Sequence, residues 1–118
     1  MNEHFDEDRF LALLAMAGPS NAHELTMRLD DDLSGIADAL TAAHVQDDSP
    51  TLRAHSHVLL AIAGTVGATQ LYLMADRLNR LAQGIERGPV GDVLAEITVL
   101  LALLIDRVRQ VRKTLANP

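Results

Sequence analysis

The sequence predicts an all-α protein, and three observations support that fold class. Alanine and leucine are abundant while aromatic residues make up only 3% of the 118 residues, so the core must be aliphatic. Long stretches repeat apolar residues with a period near 3.6, as amphipathic helices do. The chain has only four prolines, and a helical protein tolerates few of them inside its elements. A single domain over residues 1–118 is expected, arranged as an up-and-down helix bundle.

The first two helices are separated by a strong breaking signal. A short amphipathic helix is predicted over residues 6–17, and it ends at Gly18-Pro19. The second helix is expected to start at Ser20 or Asn21, because Asn21 and Glu24 fit a capping box. Its apolar stripe consists of Ala22, Leu25, Leu29, Leu33, Ile36, Leu40 and Ala43. The acidic run over residues 30–32 lies largely off this stripe, so it is expected to face solvent.

Three further helices complete the predicted bundle. Ser49 as N-cap, with Pro50 at the first helical position, starts the third helix, which runs to about residue 63. A bend is expected over residues 64–67 and a fourth helix over about 68–83. The last helix is predicted over about 90–116. Short connections between long helices imply antiparallel neighbours.

The charge composition argues against nucleic-acid binding. Ten basic against sixteen acidic residues give a net charge of −6, so nucleic-acid binding, which needs clustered cations, is not expected. The cluster Arg107-Arg109-Arg112-Lys113 is expected to complement the C-terminus of the last helix instead.

Cysteine usage and the apolar runs bear on compartment. The chain has no cysteine, so it has no disulfide framework or thiolate metal site. The N-terminus, Met1 to Asp6, is acidic and lacks the apolar core of a secretory signal. The longest apolar run, residues 99–105, is too short to span a bilayer. We therefore expect a soluble cytoplasmic protein without membrane association.

His57 is the most informative single residue. On a helical wheel the apolar side of the third helix consists of Leu52, Leu59, Ile62, Ala63 and Val66, flanked by His55 and Ser56. His57 falls nearly opposite, beside Arg53, Ala54, Ala61 and Gly64, with Leu60 to one side. An accessible imidazole among small side chains suits a nucleophile that must enter another protein's active site, because a neutral ring nitrogen can attack a phosphoryl group.

Other interpretations of the histidines remain open at this point. Exposed histidines are common, so spacing alone favours an ordinary surface residue at His57. Metal binding by His55 and His57 is disfavoured, since residues i and i+2 point about 200° apart on a helix. His4, His23 and His44 show no ligand spacing, and no metal or cofactor is expected. His55 is expected to be a partly buried structural residue. A stand-alone enzyme is also disfavoured, because no second catalytic group accompanies His57.

The stretch from His57 resembles the signature of histidine-containing phosphotransfer (HPt) domains. That family's motif is His-x-Leu-Lys-Gly and small residues, followed by Gly, a polar residue, an aliphatic residue, Gly and Ala. The matching positions are His57, Leu59, Ala63, Gly64, Thr65, Val66, Gly67 and Ala68. The next helix supplies apolar Leu71, Ala75 and Leu78, and the order of elements before His57 matches as well. The resemblance covers most of the chain, although only about a dozen positions are specific.

The resemblance implies a four-helix bundle with a short extra N-terminal helix. It also implies that His57 exchanges a phosphoryl group with the aspartate of a response-regulator receiver domain, or of a hybrid histidine kinase. Such a domain needs no nucleotide of its own, and the receiver supplies Mg²⁺. Two positions depart from the motif: Leu60 replaces the family's Lys and Ala61 its Gly. Arg53, one turn before His57, is a candidate replacement for the missing cation. The alternative is an interaction or dimerisation module that binds signalling partners without relaying phosphate.

The last helix predicts a second burial surface. Val93, Leu94, Ile97, Leu100, Leu101, Leu104, Val108 and Val111 already form a wide apolar stripe. Val99 and Leu103 fall outside it, bordered by Glu96 and Arg107. Either the N-terminal helix covers them or they support a weak homodimer.

Overall fold

The computed structural model describes residues 5–116, and these form five α-helices and no strand. The helices are α1 (Glu7–Ala17), α2 (Pro19–Val45), α3 (Ser49–Val66), α4 (Thr69–Ala82) and α5 (Val90–Ala116). The all-α class and the number and order of the predicted helices are confirmed over this range. The expectation about a secretory signal depends on Met1 to Asp6, of which residues 1–4 lie outside the described residues.

The helices pack in a closed ring. Helix α2 contacts α3 and α5, and α4 contacts the same two helices from the other side, while α1 contacts α2 and α3. This arrangement is consistent with the expected bundle of four helices and one short additional helix. Over residues 5–116, no helix combines the length and the apolar character needed to cross a membrane.

The predicted apolar stripes form the core. The fully buried large side chains include Leu33 and Leu40 from α2, Leu59 from α3, Leu78 from α4 and Ile97 from α5. Each belongs to the stripe predicted for its helix, because a 3.6-residue period turns those positions towards one side. Phe10 of α1 is also fully buried, which anchors the short helix to the bundle.

The predicted N-terminus of α2 is wrong. The helix begins at Pro19 with Gly18 as its N-cap, and Gly18 adopts a φ of 86° that favours glycine. Asn21 lies inside the helix and does not cap it, and its side-chain amide donates to the Ala17 carbonyl at 3.0 Å. Proline at the first helical position already has the φ of a helix, and α2 starts there without a side-chain cap.

Both ends of α3 also differ from the prediction. Asp48, and not Ser49, is the N-cap, and its carboxylate accepts from the Thr51 amide at 3.1 Å. The same carboxylate accepts from the Thr51 hydroxyl, and these hydrogen bonds lower the pKa of Asp48. At the other end there is no bend at residue 64, because the helix continues to Val66 and stops at Gly67, whose φ is 81°.

Gly67 is also where α1 meets α3. The Asp6 amide donates to the Gly67 carbonyl at 2.7 Å, and a Cβ on Gly67 would lie 2.8 Å from the Asp6 carbonyl oxygen. Position 67 therefore requires glycine for two reasons: the backbone conformation there and the close approach of the segment that leads into α1.

The acidic run of α2 is only partly solvated. Asp31 and Asp32 are exposed as expected, but Asp30 is buried with 7% of its surface exposed. Its carboxylate accepts two hydrogen bonds from Arg109 of α5, at 2.9 and 3.0 Å, and lies 3.2 Å from Arg112. Periodicity placed Asp30 off the apolar stripe, but it did not show that α5 brings two guanidinium groups to that edge.

The same contacts correct the interpretation of the basic cluster on α5. Arg109 and Arg112 form ion pairs with Asp30 of α2, and Arg107 forms an ion pair with Glu7 of α1. Of the four residues, only Lys113 lies in the last turn, where it can complement the helix dipole. The cluster therefore joins α5 to its neighbours.

Candidate functional site

The outer face of α3 presents His57 as predicted. Leu52, Leu59, Ala63 and Val66 are buried on the opposite side, while His57 is exposed together with Arg53, Ala54 and Ala61. The His57 ring forms no hydrogen bond with any described residue. A partner's reactive group can thus reach the imidazole without breaking an existing contact.

Small residues next to His57 leave the imidazole accessible. Ala54 and Ala61 lie one turn to either side of it and are exposed. Gly64 lies two turns after His57 and packs against Tyr72 of α4, so that a Cβ on Gly64 would stand 3.3 Å from Tyr72 Cδ2. The sequence did not identify Tyr72 as part of this surface, although it is the chain's single tyrosine and lies off the apolar stripe of α4.

A hydrogen-bond network joins α4 to the turn of α3 that precedes His57. Asn79 of α4 donates from its side-chain amide to the Arg53 carbonyl at 3.0 Å and to Ser56 Oγ at 3.1 Å. The Ser56 hydroxyl is fully buried and donates to the same Arg53 carbonyl at 3.1 Å. In the register of an α-helix that carbonyl also accepts from the His57 amide. Sequence reasoning placed Ser56 beside the apolar stripe but missed Asn79.

The charges around the site are distributed unevenly. On α4, Arg77 pairs with Glu86 at 2.9 Å, and Arg80 lies 3.6 Å from Asp76. The Arg53 guanidinium, in contrast, forms no ion pair or hydrogen bond with a described residue. Arg53 therefore offers an uncompensated positive charge on the His57 face.

Leu60 lies at the edge of that face. It is half-buried and packs against the hydrophobic core, so it belongs partly to the α3 interior. His55 is also half-buried, in agreement with its expected place beside the apolar stripe. Among the described residues, no three His, Asp or Glu side chains gather where they could hold one metal ion.

Comparison with known proteins identifies the fold. Neither a protein-family model nor a curated protein matches the sequence. A search of solved structures found similarity to histidine-containing phosphotransfer protein B (HptB) from Pseudomonas aeruginosa PAO1. The TM-score is 0.85 at 18% sequence identity, and the match covers 97% of this chain and 98% of that one. The chain therefore has the fold of an HPt protein, as the resemblance around His57 implied.

Proposed function

We propose that this chain is a histidine phosphotransfer protein in a two-component phosphorelay, with His57 as the phosphoacceptor. The observation that carries the proposal is the exposed, unbonded imidazole of His57, which stands among small side chains on a chain with the HPt fold. We also infer that residues 1–118 form one domain, with α2 to α5 as an up-and-down four-helix bundle and α1 as the extra helix.

The chemistry requires little from this chain beyond presentation. A ring nitrogen of neutral His57 attacks the phosphorus of a receiver's aspartyl phosphate. The new N–P bond forms as the P–O bond to the aspartate breaks, and the aspartate leaves as a carboxylate. The other ring nitrogen keeps its proton, and the reverse step returns the phosphoryl group to a receiver. Mg²⁺ and the remaining catalytic groups are expected on the receiver, and no nucleotide is required here.

The partner surface follows from the same face. Ala54 and Ala61 leave room for a receiver domain, either free or within a hybrid kinase, to approach His57, and Gly64 allows Tyr72 to pack closely at the edge of the same surface. Such a relay operates in the cytoplasm, where we propose that this protein acts without binding nucleic acid or membrane.

Substitution of two nearby histidines tests the proposal. His57→Gln should abolish acceptance of label from a phosphorylated receiver domain, because it removes the nucleophile. His55→Gln is the matched control, since it changes a histidine on the same helix that is turned away from the site, and it should accept label as the wild type does. Label retained in His57→Gln would overturn the assignment.

A second candidate function rests on Leu60. The half-buried leucine provides no charge where a cation would offset the phosphoryl group, and this favours a module that binds receivers without relaying phosphate. The two functions differ in one measurement on the wild type. A relay protein binds a receiver and removes its label, whereas a binding module forms the same complex and leaves the label on the receiver.

A further inference from the structure

The geometry points to Asn79 as a positioning residue that fixes the turn of α3 carrying His57. This inference rests on the proposed function of His57, and it concerns a residue of α4 that does not itself reach the imidazole. In the structure, the Asn79 side chain donates to the hydroxyl of Ser56, which directly precedes His57, and to the carbonyl of Arg53, four residues before His57.

The packing between α3 and α4 explains why such a residue is needed. The contacting sides of the two helices carry buried Leu59 and Ala63 on α3 and Ala75 and Leu78 on α4. Apolar contacts are non-directional, so they allow small rotations of one helix against the other. A hydrogen bond is directional and loses strength quickly when its angle changes. The contacts of Asn79 therefore restrict the rotation that decides where His57 points.

The place of these hydrogen bonds is the second argument. The Arg53 carbonyl accepts from Asn79, from the Ser56 hydroxyl and, through the helix, from the His57 amide. The amide of His57 and the side chain of Asn79 thus share one acceptor. A change at Asn79 reaches the His57 backbone through a single atom, without any contact to the reacting imidazole.

The effect on function follows from the geometry of transfer. A misplacement of about 1 Å can cost roughly a hundredfold in rate when two reacting groups must meet in line. A receiver approaches as a rigid domain and requires a fixed His57. A small diffusing donor such as phosphoramidate does not, because it can approach the imidazole from several directions.

Three variants test the inference. Asn79→Leu keeps a similar volume and removes both donated hydrogen bonds. Gln110→Leu is the matched control, because Gln110 of α5 is exposed and its side chain forms hydrogen bonds only with Asp106 and Arg107 of its own helix. Ser56→Ala removes one acceptor of Asn79 and leaves the other, and it decides the matter if Asn79→Leu does not fold.

Three measurements are made on each full-length variant. They are the rate of label transfer from the receiver domain that labels the wild type fastest, the rate of labelling by phosphoramidate, and the rate of hydrogen exchange at the His57 amide. Asn79→Leu should slow transfer from the receiver by about tenfold or more, keep labelling by phosphoramidate, and speed exchange at His57. Ser56→Ala should show the same pattern with a smaller effect, and Gln110→Leu should match the wild type in all three.

Each contrary outcome has a distinct meaning. Unchanged transfer and unchanged His57 exchange in Asn79→Leu, or in Ser56→Ala if the first variant does not fold, would overturn the positioning role. An equal loss with both phosphoryl donors would also overturn it, because a general loss of structure would then be the cause. A wild type that neither donor can label would instead overturn the proposed function of His57, whereas the exchange data would still report on Asn79.

Discussion

Two polar contacts between helices use charge in opposite ways. Between α2 and α5, the buried Asp30 carboxylate binds Arg109 and Arg112, so these charges satisfy one another. Between α3 and α4, Asn79 binds a hydroxyl and a backbone carbonyl, and the Arg53 guanidinium beside them stays unpaired. The first contact uses its charges for cohesion within the protein. The second holds the helices with neutral groups and leaves a cation and an imidazole available to a partner.

The comparison predicts that the α2–α5 contact affects stability and not transfer. Asp30→Asn keeps the shape of the side chain but removes the charge that two arginines share. Loss of hydrogen bonds to a charged group costs about 1.5–3 kcal/mol, so the free energy of unfolding in urea should fall by that amount. Transfer of label to His57 should remain at the wild-type rate, because Asp30 lies on a different helix pair.

Asp31→Asn is the control for this experiment. Asp31 is the neighbouring residue and is exposed, so its substitution should change the free energy of unfolding by less than about 0.5 kcal/mol. If the two variants were equally stable, the contact between Asp30 and α5 would not contribute to the fold.

The same contact predicts a dependence of stability on pH. Hydrogen bonds from Arg109 hold the pKa of Asp30 below its ordinary value of 3.8, although burial opposes the shift. Because the folded state has the lower pKa, the stabilisation is fully present above pH 3.8 and is lost as pH falls through the folded value. The difference in unfolding free energy between wild type and Asp30→Asn should therefore be constant from roughly pH 5 to 7 and shrink below about pH 4. A difference that stays constant into acid would contradict the assignment.

On the His57 face, the comparison predicts that substitution of the exposed Arg53 changes the rate of transfer without changing stability. Arg53→Ala removes the unpaired cation and should slow transfer to and from receivers. Leu60→Lys adds a cation at the edge of the same face and should speed transfer or prolong the life of the phosphorylated state. An exposed charge pair contributes up to about 1 kcal/mol, which corresponds to at most about fivefold in rate.

Rapid-quench kinetics and urea denaturation on the same samples separate the two effects. Unchanged kinetics in both variants would show that neither Arg53 nor Leu60 takes part in the chemistry. A loss of stability in Arg53→Ala comparable to that in Asp30→Asn would remove the distinction between the two contacts.

The helices and the exposure of His57 could be predicted because they depend on a local period. The spacing of Leu52, Leu59 and Ala63 determines which side of α3 is buried, and the position of His57 opposite them follows from helix geometry. The resemblance to HPt domains used the same stretch of sequence, and the structural comparison shows that the chain has the fold of an HPt protein.

The polar contacts could not be predicted in the same way. Asp30 and Arg109 are 79 residues apart, and Asn79 lies 23 residues from Ser56, so no local pattern joins them. Helix boundaries failed for a different reason. Asp48 and Ser49 are adjacent and both are good N-caps, and only the position of Thr51 in the folded chain shows which one caps α3.

The smallest effect is expected at a third surface, the exposed apolar ridge that Val99 and Leu103 form on α5. Val99 and Leu103 are 60% and 55% exposed, so α1 does not cover them. We propose that they support weak self-association. Full burial of such a side chain is worth roughly 1.5–3 kcal/mol, and about half of that remains to be gained by each of the four in a symmetric pair.

The gain of roughly 3–6 kcal/mol barely offsets the cost of association, which is at least about 4 kcal/mol, so a dimer should form only at high protein concentration. Sedimentation velocity over a concentration series should show a shift that Val99→Glu/Leu103→Glu abolishes. Val45→Glu is the control, because Val45 is 79% exposed at the end of α2. A wild type that remains monomeric at every concentration, or a double variant that still associates, would show that this ridge of α5 is ordinary solvent-exposed surface.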